Sequence, residues 1–333
     1  MNAYSSRPQG SRSSDFLGHH AQLLSIAGFF LIMVVIFAIA SPVFLSTGNI
    51  LNLVRQTAPI LIVAVAMTFV ITTGGIDLSV GSIVALINAS AAMLLQAGMP
   101  WPLAVAGLIL IGAAIGAMQG WFIAYQGIQA FIVTLAGLSA LRGIALLMTE
   151  GFSIPISTDL GFVEIGRGWF LGVPAPAWIA LVVAVLGFVT FQSTRFGRYV
   201  TAIGANQEAA RRASVATRRI TLWVYVLTGI AAAIAGIVIA ARLGSGSSNA
   251  AVGFELEVIA AVVLGGTSLM GGRGSILGTV LGALTIGVIG NGLILSHVSP
   301  FFTQIVTGGI ILLAVWLNAQ VFSRLAGAVR RSN

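Results

Sequence analysis

A single acidic residue, Asp77, lies between strongly apolar stretches in the first 149 residues, within the run TGGIDLSVGS at 73–82. An ionisable side chain in such surroundings is a functional-site candidate by default. Gly74 and Gly75 allow the backbone to leave a helix there, and Ser79 is a residue type that caps the next helix. Three roles stay open for Asp77: a cap at the start of that helix, a contact for a solute, or part of a structural hinge.

The other residue types that perform covalent or metal chemistry are scarce. The chain has no cysteine, and all sixteen of its basic residues are arginine. Without lysine it contains neither a GxxxxGK[ST] phosphate loop nor a Schiff-base nucleophile, so any ATP hydrolysis must be performed by a separate chain. The histidines, His19, His20 and His297, do not make a metal cluster. We expect no catalytic residue, no metal and no cofactor in this chain; if it is coupled to ATP, then ATP and Mg²⁺ must be bound by another chain.

The composition predicts a membrane protein. Of 333 residues, 58% are hydrophobic and 7% charged, and the mean hydropathy is +1.04, whereas soluble domains carry about 25% charged residues. The apolar runs are near the length of a membrane-spanning helix, so the expected fold is all-α, a polytopic transmembrane bundle of about ten helices. The expected spans are 23–41, 58–73, 79–97, 102–124, 130–149, 177–191, 221–241, 257–270, 276–295 and 302–318. The span 257–270 is short and ends in glycines, so it could be a partial span, and a count of eight or nine is the alternative.

The arginines predict the orientation of these spans. With the N-terminus inside, twelve arginines fall on the cytoplasmic side and four outside, as positively charged inner loops require. An even number of spans then returns the C-terminus to the cytoplasm. The expected organisation is a cytoplasmic tail at 1–22, a transmembrane domain at 23–318 and a second cytoplasmic tail at 319–333. Because the arginines flank apolar spans, nucleic-acid binding is a poor explanation for them.

The longest polar stretch inside the apolar domain is the loop 192–221, which holds six arginines. Its middle, from Ala202 to Ala216, is expected to be one short helix, with Asn206 as a cap for the run that follows and Glu208 in a favourable first turn. The flanking arginines are suited to anionic lipid at the membrane edge; they are Arg195, Arg198, Arg218 and Arg219. Both a solvated amphipathic loop and a docking element for a partner fit this composition.

Three further features of the sequence are a glycine stripe, a glycine-rich connection and two long segments predicted to lie outside. Gly112, Gly116 and Gly120 form a small-residue stripe on one helix face, suited to close helix packing. The run GGTSLMGGRGS at 265–275 predicts a tight re-entry between two spans, with Arg273 on the cytoplasmic side, where it would neutralise helix dipoles or pair with Asp77. The segments 150–176 and 242–257 are ordinary outer loops or a docking surface for an external partner.

Four runs in the expected order resemble the permease subunit of bacterial ABC sugar importers of the ribose, xylose and galactose type. The runs are TTGGIDLSVGSIVAL, FIVTLAGLSALRGIALL, FGRYVTAIGANQEAARRASV and ELEVIAAVVLGGTSLMGGRGSILGTVLGAL. The resemblance covers roughly residues 50–315 of the chain. It implies a multi-pass protein of the bacterial inner membrane that forms a homo- or heterodimer, works with two cytoplasmic ATPase subunits and accepts its solute from a periplasmic sugar-binding protein.

The resemblance also implies roles for particular residues. In such permeases the cytoplasmic loop carries a coupling helix that docks on the ATPase; here that helix falls on Gly204, Asn206, Glu208, Ala209 and Ala210. This chain departs from the family pattern at Ala205, where glycine is usual, and at Ser214–Val215, where Gly-Ile often follows. Apart from the resemblance, the residue types themselves predict a structural or hinge role for the two glycine-bearing motifs, with the residues Gly74, Gly75, Asp77, Ser79, Gly81, Gly265, Gly266 and Arg273.

A neutral sugar requires uncharged hydrogen-bonding groups along its path. The candidates within the spans are Asn88, Thr134, Ser139, Asn291 and Gln304, each of which could equally join two helices. A permease for autoinducer-2, inositol or a nucleoside remains an alternative within the family. An ion-coupled secondary transporter is a more distant one, for which Asp77 is the sole acidic candidate among the early spans.

Overall fold

The structure of this chain is almost entirely helical in the computed structural model, which describes residues 11–159, 161–299, 302, 305, 306, 308, 309 and 312, with side chains from Leu23 onward. The helices are α1 Ser11–Ala40, α2 Thr47–Thr72, α3 Val80–Gln96, α4 Trp101–Ala124, α5 Ala130–Thr149, α6 Glu164–Arg167, α7 Ala175–Ser193, α8 Arg195–Ala205, α9 Gln207–Arg212, α10 Thr217–Leu243, α11 Phe254–Leu264 and α12 Ile276–Leu295. The strands are β1 Ser153–Pro155, β2 Trp169–Phe170, β3 Val173–Pro174 and β4 Ser245–Ser247, and Gly161–Val163 forms a 3₁₀ turn.

Seven helices in the described part of the chain are long and apolar enough to cross a membrane: α1, α2, α4, α5, α7, α10 and α12. A perpendicular crossing takes about 20 residues. The predicted span at 79–97 becomes α3, with 17 residues, and the predicted span at 257–270 becomes α11, with only 11. The second is a correction, because α11 is too short to cross alone. Most of the predicted span 302–318, and the tail 319–333, lie outside the described residues.

Helix α2 begins eleven residues earlier than the predicted span, at Thr47. The Ser46 side chain caps its start by accepting a hydrogen bond from the backbone N–H of Asn49. Pro59 lies inside the helix, where the missing N–H is tolerated among packed neighbours. Because residues 47–57 are largely polar, the sequence had indicated a loop there, and the start of α2 was not predicted.

Helices α2, α3 and α10 form the centre of the bundle and are buried along most of their length. Helix α10 packs most extensively on α4, and the predicted glycine stripe provides that contact. A Cβ atom at Gly112 would lie 2.5 Å from the Gly229 carbonyl oxygen, and one at Gly120 would lie 2.9 Å from that of Leu222. The predicted close packing of the stripe is therefore confirmed, since only glycine permits such backbone contact.

The two ends of the bundle are built differently. At one end, which we call the loop end, the C-terminus of α2 lies beside α8 and the connection 265–275, which joins α11 to α12. At the other, which we call the far end, β1 pairs antiparallel with β4, aligning Ile154 with Gly246. Strands β2 and β3 form a small hairpin before α7. The predicted outer segments 150–176 and 242–257 thus meet through the β1–β4 pair.

Candidate functional site

The connection from α10 to α11, residues 244–253, enters the bundle instead of crossing its surface. Near its start Gly246 lies against Ala92 of α3, whereas Ala251 at its other end lies against Gly81. Those α3 positions are eleven residues apart, about 16 Å along a helix axis. We call residues 244–253 the re-entrant segment. It descends along α3, so that α11 begins within the bundle.

Arg142 of α5 holds the re-entrant segment by its carbonyl groups. Its Nη1 donates to the backbone oxygens of Ser248 and Ala250, both at 2.7 Å, and its Nη2 donates to that of Ala251 at 3.3 Å. The planar guanidinium presents several donors in fixed directions, so one side chain can satisfy three backbone acceptors within four residues that lie beyond the β1–β4 pair. Arg142 was predicted only as one of four outward arginines, and this role was missed.

Two further side chains fix the same segment. Asn88 of α3 accepts a hydrogen bond from the backbone N–H of Ser247 at 2.6 Å. Thr149 of α5 donates to the hydroxyl of Ser248 at 2.9 Å, and Ser248 is fully buried. The middle of the predicted outer segment 242–257 is therefore not an ordinary surface loop. The small polar residues there are hydrogen-bonded to helices distant in sequence.

A cavity of about 870 Å³ lies beside the re-entrant segment. It is lined by α2, α10, α11, α12 and residues 250–253. Its polar lining consists of Gln56, Thr57, Arg242, Glu257 and Asn291. Among the described residues, Nη1 of Arg242 is buried without a hydrogen-bond partner. Such a group calls for an explanation, and a cavity of this size is typical of small-molecule sites.

The residues predicted to contact a sugar are not brought together. Asn291 lines the cavity, where it exchanges hydrogen bonds with Asn49 at 2.9 and 3.0 Å. Asn88 instead holds the re-entrant segment, and Thr134 donates to the backbone oxygens of Ala130 and Ile76. Ser139 is exposed on α5. Gln304 lies outside the described residues.

The cavity contains functional candidates that the sequence did not single out. Gln56 and Glu257 are exposed to it, and Arg242 is partly buried beside it. Gln56 precedes the predicted span 58–73 and Arg242 follows the predicted span 221–241, so both were interpreted as residues outside the spans, whereas both lie within helices. The one local signal near the cavity was Pro59, which lies inside the lining helix α2.

Asp77 is fully buried in the connection between α2 and α3. Its Oδ1 accepts hydrogen bonds from the backbone N–H of Ser79 at 2.9 Å and from the Ser79 hydroxyl at 2.6 Å. Ser79 also contacts the amide of Gln119 on α4. Ser79 precedes α3 but its side chain makes no capping bond, so the capping role expected of it is corrected. Asp77 orders the turn before α3 and ties it to α4.

The suggested pairing of Asp77 with Arg273 does not occur through the carboxylate. Oδ1 is used by Ser79, and Oδ2 has no hydrogen-bond partner in the described part of the chain. The hydroxyl of Tyr225 on α10 is likewise buried there without a partner. The predicted tight return at 265–275 is present, because Gly265 lies against the backbone of Gly278 at the start of α12.

The loop 192–221 contains two helices where one was predicted. Asn206 interrupts the run with an extended backbone, φ −166° and ψ 103°, and its side chain accepts a hydrogen bond from the backbone N–H of Ala209 at 2.9 Å. The residue predicted as a cap therefore caps α9 and, by doing so, ends α8. Glu208 lies in the first turn of α9, as predicted, and pairs with Arg211 and Arg212, both at 3.1 Å.

The five residues predicted to couple to an ATPase divide into two groups. Asn206, Glu208 and Ala209 are exposed at the surface of α9. Ala210 is buried, and Gly204 at the end of α8 faces the bundle, against the Thr72 carbonyl. Only the first group is available to a partner, while the second attaches the loop to the bundle.

Comparison with known proteins decides which family this arrangement belongs to. The family described as "Branched-chain amino acid transport system / permease component" matches residues 49–315. The chain belongs to this permease family. The matched range includes the re-entrant segment, the cavity and the whole of the loop 192–221.

Individual relatives of this permease are similar over most of their length. The ribose import permease protein of Escherichia coli is 44% identical, with 86% of this chain and 91% of that protein covered. A probable ABC transporter permease protein of the same organism is 41% identical, covering 97% and 98%. The xylose transport system permease protein of Haemophilus influenzae is 34% identical, covering 90% and 95%. The permease is thus a multi-pass transport component of the inner membrane and not itself a catalyst, and ATP hydrolysis belongs to a separate ATPase.

Proposed function

We propose that this permease forms the membrane path of an ATP-driven importer for a monosaccharide of the ribose or xylose class. The observation that carries the proposal is the 44% identity to a ribose import permease over 91% of that protein. The similarity to a xylose transport permease supports the same solute class.

The cavity suits a neutral polyol. Its lining offers amide, hydroxyl, carboxylate and guanidinium groups, so that each sugar hydroxyl can find a donor or an acceptor. Arg242 has a donor without a protein partner among the described residues, and Glu257 supplies an acceptor on the facing helix α11. Apolar residues from α2 and α12 complete the walls, as in most small-molecule sites.

The loop end is proposed to face the cytoplasm, together with both tails. Six arginines lie in the loop there, in accord with the positive-inside preference. Ten passes result if the re-entrant segment and α11 count as one pass and the stretch 302–318 as another. Because a cavity at the side of one chain needs a second wall, we expect two permease subunits, identical or paralogous, to form the path.

The two proposed partner proteins, the ATPase and the sugar-binding protein, would dock at opposite ends of the helix bundle. The exposed surface of α9 would dock on a cytoplasmic ATPase, with Glu208 and Arg211 at its rim. A periplasmic sugar-binding protein would dock at the far end, where Phe152, Trp169, Phe170 and Leu171 are all exposed. Aromatic side chains are common anchors in protein interfaces.

The test is uptake by proteoliposomes that contain the permease with its ATPase and binding protein. We expect ATP-dependent uptake of labelled ribose or xylose, lowered about tenfold by Gln56→Leu or Glu257→Gln through loss of hydrogen bonds to the solute. Exposed Ser139→Ala on α5 serves as the control and should transport normally. Uptake driven by an ion gradient without ATP would contradict the proposal.

A further inference from the structure

Three backbone segments meet at the loop end of the bundle without side chains between them. A Cβ atom at Gly204, the penultimate residue of α8, would overlap the carbonyl oxygen of Thr72 and the backbone nitrogen of Gly272. The N–H of Gly272 donates to that same carbonyl oxygen at 2.9 Å. The ends of α8 and α2 and the connection 265–275 are therefore in direct backbone contact.

Neighbouring glycines extend this contact, which we call the glycine junction: Thr72, Gly74, Gly204, Gly271, Gly272 and Gly274. A Cβ atom at Gly271 would lie 3.0 Å from both the Gly204 oxygen and the Gly74 nitrogen, and one at Gly274 would overlap the Thr72 hydroxyl. Gly272 also has a left-handed backbone, with φ +75°. Gly204 has no such backbone, so glycine is required there for close approach alone.

The segments that meet at the junction lead to the two proposed functional surfaces. Gly204 is separated from α9 only by Ala205 and the capping residue Asn206. Thr72 ends α2, and residues 265–275 join α11 to α12. Helices α2, α11 and α12 are three of the four helices that line the cavity.

We infer that the glycine junction transmits the movement of α9 to the helices that line the cavity, and that Gly204 is a positioning residue for transport. This inference rests on the proposed function, since it assigns a path between the ATPase and the solute. Backbone atoms in contact cannot change rotamer or yield as long side chains do, so displacement of α8 displaces Thr72 and Gly272 with it. A methyl group at position 204 would separate the three segments and weaken their coupling.

The experiment uses the complete transporter in proteoliposomes and measures solute taken up per ATP hydrolysed. We expect Gly204→Ala to lower this ratio about tenfold, within the usual range of coupling between sites. The ATPase should still co-purify with the variant, because the exposed surface of α9 is unchanged. A Gly204→Ala transporter with the wild-type ratio would overturn the inference.

Gly112→Ala is the matched control. A Cβ there also meets backbone atoms, at 2.5 Å from the Gly229 oxygen, but it lies between α4 and α10, away from the junction. We expect a smaller yield of folded protein with an unchanged uptake per ATP. An equal fall in the ratio for Gly112→Ala would mean that tight packing in general, and not the junction, is responsible.

If Gly204→Ala does not accumulate, Gly274→Ala tests the neighbouring contact of the junction, between the connection 265–275 and the end of α2. Its methyl group would overlap the Thr72 hydroxyl and lie 3.0 Å from the Phe191 ring, so the ratio should fall and the double variant Gly274→Ala/Thr72→Ala, which removes the larger overlap, should restore most of it. A normal ratio in Gly274→Ala, or no restoration in the double variant, would overturn the inference. A wild-type transporter that takes up solute without ATP, or whose ATPase does not co-purify, would instead refute the proposed function.

Discussion

The loop end and the far end of this permease hold their irregular segments by opposite means. At the glycine junction the segments touch through backbone atoms, and the contact depends on residues without a side chain. At the re-entrant segment, beyond its short β1–β4 pairing, the chain is kept in place by the side chains of Arg142, Asn88 and Thr149. Irregular backbone within a bundle has to find such partners, because lipid supplies none.

Backbone contacts and side-chain hydrogen bonds suit two different tasks in a transporter. A contact between backbone atoms has a single arrangement and transmits displacement. It therefore suits a segment that must move together with a bound partner protein. Hydrogen bonds from side chains can be broken and remade, which suits a part that opens and closes. The re-entrant segment lines the cavity with residues 250–253, so release of its side-chain contacts would alter access to the proposed sugar path.

The largest effect is expected from Arg142→Gln. Three backbone oxygens lose a charged donor, and hydrogen bonds to charged groups contribute about 1.5–3 kcal/mol each. Opening of the re-entrant segment is measured with Ser248→Cys, whose position is fully buried, in a chain that has no other cysteine. A maleimide reagent should leave this cysteine unlabelled with Arg142 present and label it rapidly with Arg142→Gln, while ATP-driven uptake is lost.

Arg167→Gln is the control for that experiment. Arg167 also donates to a backbone oxygen at the far end, that of Arg242 at 2.8 Å, but from an exposed position. It should leave both the labelling and the uptake nearly unchanged. A cysteine at 248 that stays protected in the Arg142→Gln protein would refute the holding role of Arg142.

A smaller destabilisation of the re-entrant segment is expected when Asn88 is replaced. Asn88→Leu leaves the part-buried N–H of Ser247 without its acceptor, at a cost of about 1 kcal/mol. Thermal unfolding in detergent should therefore show a lower midpoint for Asn88→Leu than for the wild type, and equal midpoints would contradict the assigned hydrogen bond.

At the loop end, Asn206→Ala should weaken α9. Loss of a helix cap costs about 1 kcal/mol, and the affinity for the ATPase should fall roughly fivefold in a detergent binding assay because α9 must be folded to dock. Asn206→Asp retains a capping oxygen and should bind as the wild type does. If Asn206→Ala binds the ATPase normally, α9 is not the docking element.

The smallest effect is expected for Arg212→Gln. Its ion pair with Glu208 is exposed to solvent, and helical pairs of this spacing contribute about 0.3–0.5 kcal/mol. Uptake at physiological salt should change less than twofold. A large loss would mean that Arg212 contacts the ATPase directly.

The sequence predicted the features that depend on local pattern. Low charge and apolar run length predicted a helical membrane bundle, and the spacing of Gly112, Gly116 and Gly120 predicted a close helix contact. Asn206 and Glu208 were identified as a cap and a first-turn acid because capping follows residue type. The assignment to a permease family came from four long motifs and is confirmed by the match over 49–315.

The features that depend on distant contacts were not predicted. Residues 244–253 have the composition of a surface loop, and side chains about a hundred or more positions earlier hold them inside the bundle: Asn88, Arg142 and Thr149. The predicted span 257–270 is cut short because α11 ends at Leu264, where Gly265 caps the helix and Gly266 has a left-handed backbone. The glycine junction likewise unites three stretches whose separation in sequence gives no indication that they meet.

The central claim is that the loop end controls the cavity through the glycine junction, and cysteine labelling in the cavity tests it directly. Gln56→Cys lines the cavity on an exposed side chain, in a chain otherwise free of cysteine. In the assembled transporter, a non-hydrolysable ATP analogue should change the labelling rate of this cysteine severalfold, and Gly204→Ala should abolish that change. An equal change in the presence of Gly204→Ala would contradict the account.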